Sequence, residues 1–328
     1  MPAPAGAPMG EMADGAVGPA GAPIVSLAQN PTPEGAAAFW CSAKAGRVRM
    51  LVAPAPPGRP ARGSVFVCPG RTEVIEKYFE TVRELQARGF AVAVLDWPGQ
   101  GLSERMHKSP LAGHVRSYSL YVDALVRGAA AIADRMPRPY VLLGHSMGAA
   151  IALQALRQRK FEAAAAAFSA PMWGLRAWFF QRWFARLVRL FGGGALIARP
   201  PGPEETFATN QLTHDERRWR LHRELVEAEP RLALGEPTVG WVVASLNVCQ
   251  GFFETGALDA LRRLPVLVAL ASEETIVKLS AQRALARRFK AGRTVTIEGA
   301  GHEILMETDP RRAVFWTAFD ELLSRAGL

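Results

Sequence analysis

Leu143-Gly144-His145-Ser146-Met147-Gly148 sets a serine between two glycines, each two positions away. The apolar run Pro139-Tyr140-Val141-Leu142-Leu143 precedes it, and the alanine-rich run Ala149-Ala150-Ile151-Ala152-Leu153-Gln154-Ala155-Leu156 follows. The first run reads as a short buried strand and the second as a helix. A serine in the sharp turn between them describes a nucleophile elbow, where small flanking residues let strand and helix pass closely while the hydroxyl projects outward. A glycine-rich βα turn without chemistry shares this composition. The strand before and the helix after favour the elbow, and Ser146 is the expected nucleophile.

A serine hydroxyl attacks poorly unless a base takes its proton. Where a nucleophile elbow serves acyl transfer, the partners follow in the chain order serine, acid, histidine. Of the six histidines, His107 and His114 precede the serine and His145 belongs to the elbow itself. His214 and His222 fall in or beside the charged helical stretch Thr213-His214-Asp215-Glu216-Arg217-Arg218, too early to follow an acid carried by a late strand. His302 is left, in the loop Glu298-Gly299-Ala300-Gly301-His302-Glu303 after the strand Arg293-Thr294-Val295-Thr296-Ile297. A glycine-rich loop closing a late strand is where a catalytic base is expected.

The acid is expected after the strand Pro265-Val266-Leu267-Val268-Ala269-Leu270. The turn there, Ala271-Ser272-Glu273-Glu274-Thr275-Ile276-Val277, has two glutamates and no aspartate. Glu274 is the preferred candidate and Glu273 the alternative. Glutamate suits the task, because the acid orients the imidazole and stabilises its cation without itself taking the proton. Backbone donors must also face the oxyanion. The amide of Met147 supplies one by its position. Ser64-Val65-Phe66-Val67-Cys68-Pro69-Gly70-Arg71 reads as a strand running into a Pro-Gly turn, which assigns the second amide to Arg71.

From about Phe39 to the C-terminus, the chain resembles the α/β-hydrolases of the lysophospholipase L2 and monoacylglycerol lipase group. The resemblance rests on Pro69-Gly70-Arg71-Thr72-Glu73 with Lys77-Tyr78, and on Asp96-Trp97-Pro98-Gly99-Gln100-Gly101-Leu102-Ser103. It rests further on Gly144-His145-Ser146-Met147-Gly148, Ser169-Ala170-Pro171-Met172 and Gly301-His302-Glu303-Ile304-Leu305. Three positions depart from that pattern. Pro69 stands where the family often has histidine, Pro98 where it usually has arginine, and Glu274 where its acid is usually aspartate. The third departure leaves open a weakened or silent relative.

At 328 residues and 49% hydrophobic, the chain can bury one large core. The periodic segments imply an α/β fold of the α/β-hydrolase type, an eight-stranded, mostly parallel sheet flanked by helices. Its strands are expected near residues 38–42, 47–52, 65–68, 91–95, 141–143, 163–168, 266–270 and 294–297. Helices are expected at 73–88, 118–136, 279–290 and 311–326. The core would comprise 38–170 and 262–328, and a helical cap, 171–261, would be inserted between strands six and seven. Residues 1–37, dominated by Ala, Gly and Pro, contain Glu11, Asp14 and Glu34 but no Lys or Arg, and are expected to form a disordered tail. They lack the basic start and apolar run of a secretory signal.

The first cap helix, expected over 175–191, gathers Phe180, Phe184, Leu187, Val188 and Phe191 on one face and Arg182, Arg186 and Arg189 on the other. Trp178, Phe179 and Trp183 flank the arginines. Such a helix can pack on the core with solvated arginines, or lie in an anionic headgroup layer. The net charge of +9, which becomes +12 without the tail's three carboxylates, suits a phosphate-bearing partner. The basic residues are scattered and carry no nucleic-acid motif, so a membrane surface is the more economical partner, although a GC-rich genome also enriches arginine. Cys41, Cys68 and Cys249 show no metal or redox spacing and are expected to be buried free thiols in a reducing compartment. No stretch approaches the ~18 to 20 apolar residues that cross a bilayer, so a cytoplasmic protein, soluble or peripheral to the inner membrane, is expected.

These expectations converge on a serine-dependent carboxylic ester hydrolase with a triad of Ser146, Glu274 and His302, needing no cofactor or metal. The resemblance and the apolar cap imply a single-chain lipid substrate, with transfer to another alcohol open if the cap excludes water. A short-chain esterase or thioesterase with the same triad, or a silent lipid- or partner-binding relative, are the alternatives.

Overall fold

The structure, a computed structural model, describes residues 20–58, 60–176, 179–200, 202 and 205–328. Short runs of β-branched and small apolar residues bounded by Gly and Pro form β1 (Ala20–Ala22), β2 (Ala37–Ala43), β3 (Gly46–Ala53), β4 (Ser64–Cys68) and β5 (Ala91–Leu95). They continue as β6 (Tyr140–His145), β7 (Ala165–Ser169), β8 (Val266–Ala271) and β9 (Gly292–Ile297). All nine join one sheet in the order β1-β2-β3-β5-β4-β6-β7-β8-β9. Contacts from β1 to β3, and between β3 and β5, are antiparallel; the rest are parallel.

Eight strands are those expected, and the ninth, β1, corrects the count. It comes from the Ala/Gly/Pro-rich segment expected to be structureless to residue 37. From Ala20 on, this segment is tied to the core: Val25 N–H donates to Glu76 Oε1 at 3.0 Å, and Asn30 Nδ2 to the Glu76 carbonyl at 2.8 Å. Such hydrogen-bond partners are supplied by the fold, and a stretch broken by Pro and Gly leaves no periodicity to read. Residues 1–19 lie outside the described residues.

Along the central strands alternate side chains face opposite layers. Phe66, Ala93, Leu142, Phe168 and Val268 pack beneath α2 (Tyr118–Ala131), α3 (Ser146–Arg157) and α7 (Leu279–Ala286). Val65, Val94, Val141, Ala167 and Leu267 pack beneath α1 (Phe79–Ala87) and α8 (Asp309–Arg325). Their near-continuous burial is what a parallel sheet covered on both faces requires. The expected helix over 73–88 is shorter, opening with the 3-10 turn Ile75–Tyr78 before α1.

After β4 the chain turns to β5 on one side, and β6 lies on the other. Ligand sites of open α/β sheets form outside the strands' carboxyl ends at such a reversal, which here falls between β4 and β6. Above it lie α4 (Phe179–Leu190), α5 (Glu216–Ala228) and α6 (Val239–Gly251), all inserted between β7 and β8. Trp241, Ala244, Val248 and Cys249 of α6 join the main core, anchoring the insertion. All three cysteines are buried and none forms a disulfide. Among the described residues no helix is long and apolar enough to cross a membrane.

The first cap helix is turned in a way its sequence pattern does not reveal. Arg186 donates to Gln250 Oε1 at 2.9 Å and Arg189 to the Arg116 carbonyl at 2.9 Å, so both arginines reach back to the protein. Trp183 and Phe184 stand exposed instead, with Leu190 and Phe191 at the helix end. Trp178 and the side chains of residues 179–182 lie outside the described residues.

Candidate active site

Ser146 stands where β6 ends and α3 begins, with φ at +49°. A non-glycine residue held there is strained, and such strain persists only where the surroundings enforce it. Here the enforcement comes from close packing on both sides. A Cβ on Gly148 would lie 1.9 Å from the Cys68 carbonyl oxygen, and one on Gly144 would lie 2.6 Å from Ala149 Cα. Both glycines of the elbow are therefore required sterically.

The loop after β9 brings His302 to this serine, with His302 Nε2 2.9 Å from Ser146 Oγ, although the two are 156 residues apart in sequence. His302 Nδ1 lies 2.6 Å from Glu274 Oε2 in the turn after β8. The other oxygen, Glu274 Oε1, accepts from the amides of Ile276 at 2.8 Å and Val277 at 3.0 Å. Burial alone would raise the Glu274 carboxyl, but the hydrogen bond and charge of His302 together with these amides hold it below the usual carboxylate range. An ionised Glu274 keeps the proton on His302 Nδ1 and leaves the Nε2 lone pair facing the serine. Glu273 points elsewhere, 3.3 Å from His214 Nε2, with its side chain more than half exposed.

The turn Pro69–Thr72 carries the Arg71 amide and is held at several points. Trp97 Nε1 donates to the Pro69 carbonyl at 2.7 Å, and Gln100 Nε2 to the Gly70 carbonyl at 3.2 Å. Gln100 Oε1 accepts from the Thr72 amide at 3.2 Å, and Glu73 accepts from the Gly70 amide. The Arg71 N–H has no acceptor among the described residues. Met147 N–H belongs to the first turn of α3, where backbone donors lack intrahelical partners and the helix dipole favours negative charge. Thus the segment Asp96–Ser103 acts on the site by clamping the β4 turn. Asp96 also accepts from the Ile75 amide at 3.0 Å and the Leu102 amide at 2.9 Å.

Sequence reasoning missed a buried charge network between this turn and the histidine loop. Lys77 Nζ lies 3.0 Å from Glu73 Oε1 and 2.5 Å from Glu303 Oε1, and Tyr78 OH donates to Glu73 Oε2 at 2.5 Å. Burial would raise Glu73, but Lys77, His145 and the Tyr78 hydroxyl bring it down to about 2. His145 is pushed to about 4 chiefly by burial, so it is neutral at neutral pH, its ring 5.0 Å from that of His302. Glu307 adds a further brace, accepting from the Gly301 amide at 2.8 Å and from His214 Nδ1 at 2.8 Å. The available signal is the four-residue spacing of Glu73 and Lys77, which identifies a pair but not the third partner more than two hundred residues away.

The cap closes on the histidine loop from above: Glu303 N–H donates to the Leu212 carbonyl at 2.7 Å, and Thr213 Oγ1 to the Met306 carbonyl at 2.7 Å. No group of His, Cys, Asp and Glu among the described residues has the arrangement of a metal site.

A nucleophile elbow on a mostly parallel sheet, with an imidazole and a carboxylate delivered by the last two strands, defines an α/β-hydrolase. The family model described as "Serine aminopeptidase, S33" matches residues 59–309. Lysophospholipase L2 of Escherichia coli (strain K12) is 32% identical over 278 residues, covering 80% of each chain. The chain belongs to this hydrolase family, within its lysophospholipase L2 group, and is a carboxylic ester hydrolase. Solved structures show the same fold. A soluble variant of monoglyceride lipase from Saccharomyces cerevisiae superposes with a TM-score of 0.71 at 17% identity, over 93% of this chain and 100% of that one. A thermostable carboxyl esterase from Bacillus coagulans gives 0.72 at 15% identity, over 89% and 99%.

Proposed function

We propose that the protein hydrolyses esters of single-chain lipids, a lysophospholipid or a monoacylglycerol, through an acyl-enzyme on Ser146. The carrying observation is the position of the His302 imidazole, 2.9 Å from Ser146 Oγ on one side and 2.6 Å from Glu274 on the other. His302 Nε2 takes the serine proton as Oγ adds to the ester carbonyl, and returns it to the departing alcohol as the C–O bond breaks. Water then attacks the acyl-enzyme with His302 again as base, releasing the fatty acid and restoring Ser146. Glu274 holds the imidazolium throughout. The amides of Arg71 and Met147 donate to the oxyanion in both halves.

The lipid substrate is supported by the similarity to lysophospholipase L2 and by the apolar surface of the cap. We also propose that Trp183, Phe184, Leu190 and Phe191 rest on an anionic membrane surface, with the protein's net charge of +9 adding attraction.

The test is fatty-acid release by the purified protein from lysophosphatidylcholine, a monoacylglycerol and a short-chain ester, with Ser146→Ala beside it. Release from the lipids that vanishes in the variant supports the proposal. Preference for the short ester would assign a short-chain esterase or thioesterase. No release from any of them, with Ser146 unreactive toward a fluorophosphonate, would assign a silent binding relative.

A further inference from the structure

Among the described residues the fully buried arginines, Arg49, Arg218 and Arg312, are neutralised by carboxylates. Arg49 lies 2.7 Å from both Glu76 and Asp96. Arg218 is paired with Glu80, Asp215 and Asp309. Arg312 meets Glu80 and Glu84. The arrangement follows from electrostatics, since removing a guanidinium from water is costly unless a counter-charge replaces the solvent.

Arg71, which is half-buried, has no such carboxylate among the described residues. Its guanidinium lies between the β4 turn and the cap, 5.4 Å from the centre of the Trp241 ring, with one terminal nitrogen donating to the Gly235 carbonyl. Its Nε is shielded from solvent and has no hydrogen-bond partner among the described residues. No carboxylate lies within ion-pair distance among the described residues. Glu236, the nearest acid by electrostatic influence, is engaged by Arg199 at 2.5 Å. Desolvation brings Arg71 down to about 10, the expected consequence of a cation without a partner. A carbonyl and an aromatic face offset little of that cost, so the free protein keeps an unneutralised cation between the β4 turn and the cap.

We propose that the Arg71 guanidinium is the binding site for the phosphodiester of the substrate headgroup, making a phosphate-bearing single-chain lipid the preferred substrate over a neutral monoacylglycerol. The inference rests on the ester-hydrolase proposal above and narrows its substrate class. One residue then contacts both ends of the polar part of the lipid: its amide meets the ester carbonyl and its side chain meets the phosphate. In a lysophospholipid these groups are separated only by the glycerol unit, a span comparable to an arginine side chain. The planar fork of guanidinium donors matches phosphate oxygens, and the orphaned Nε is one of them.

The experiment compares kcat/KM for oleoyl lysophosphatidylcholine and monooleoylglycerol in the same neutral micelles, for the unsubstituted protein and for Arg71→Leu and Arg71→Lys. The readout is the ratio of the two values within each protein, which cancels any loss of folded enzyme or of oxyanion geometry. The ratio should fall at least tenfold in Arg71→Leu, mostly through KM, and recover partly in Arg71→Lys. A ratio within twofold of the unsubstituted protein would overturn the proposal. Glycerophosphocholine, which has the phosphodiester without the acyl chain, should inhibit the unsubstituted protein and lose potency in Arg71→Leu. Equal inhibition by inorganic phosphate would overturn the headgroup assignment and point to a free-phosphate site. Failure of the hydrolase reading itself looks different: the unsubstituted protein would cleave neither lipid.

Discussion

Lys77 Nζ lies 2.5 Å from Glu303 Oε1 and 3.0 Å from Glu73 Oε1, so one buried ammonium joins the turn that presents the Arg71 amide to the loop that presents His302. Both glutamates are buried, and both depend on Lys77 for their counter-charge. Replacing Lys77 by methionine keeps the volume but leaves two carboxylates facing each other. It should destabilise the fold by about 3–5 kcal/mol, the usual cost of removing one partner of a buried pair. Thermal unfolding checks the magnitude. A drop in kcat in the fraction still folded would show that the network also aligns the two loops.

Glu274→Gln should retain the backbone contacts to Ile276 and Val277 while removing the charge that favours the productive histidine tautomer. A fall in kcat of about 10³–10⁴-fold is expected, as for an amide replacing the acid of a serine triad. Glu273→Gln, altering a side chain paired with His214, should change kcat less than threefold. Steady-state kinetics with a soluble ester separates the two glutamates, and equal losses would reject the assignment.

Gly148→Ala would press a methyl group into the Cys68 carbonyl, 1.9 Å away. The oxygen is backbone at the end of β4, with no flexible side chain to yield. A loss of at least about 3 kcal/mol is expected, the upper part of the range for overpacking, together with loss of activity. Denaturant unfolding gives the number, and a near-neutral result would mean that α3 can shift away from β4.

Glu80 joins α1 to α5 and α8 through Arg218 at 2.7 Å and Arg312 at 3.2 Å. Burial would raise its carboxyl, but these arginines hold it down to about 2, below the usual 4.5. A carboxyl depressed on folding contributes stability above its unfolded value, and that contribution is lost as pH falls through the folded one. Unfolding free energy should therefore decline between pH 4.5 and about 2, and Glu80→Gln should flatten the decline. Denaturant titrations at several pH values test this, and an unchanged slope in the variant would assign the acid sensitivity to other carboxylates.

Replacing Trp183, Phe184 and Phe191 together by serine should weaken binding to vesicles containing anionic lipid by at least tenfold, because these exposed side chains supply the apolar area that would enter the interface. Turnover of a water-soluble ester should change little. Sedimentation with vesicles measures the first and an esterase assay the second; unchanged sedimentation would remove the membrane contact through this face.

Much of this molecule is legible from local order along the chain. The elbow at Gly144–Gly148 is readable because strand, turn and helix are consecutive, and each leaves its own period in the sequence. His302 and Glu274 are readable for a related reason: each occupies the turn directly after a buried strand, and the order of parallel strands confines where such turns can lie. The eight expected strands and the inserted helical segment follow from hydrophobic periodicity of two kinds. What periodicity cannot express is which groups meet across the fold. The strand Ala20–Ala22 is only three residues long and takes its place from pairing with Phe39 and its neighbours. Helix α4 has two chemically distinct faces, yet only packing against α6 shows that Arg186 turns inward and Phe184 outward. The bridge from Glu73 through Lys77 to Glu303, and the isolation of Arg71 beneath the cap, are likewise decided in three dimensions. A charge is stabilised or left unneutralised by whatever stands within a few ångströms of it, and the partners that decide these cases, Glu303 for Lys77 and Gly235 for Arg71, are distant in the chain.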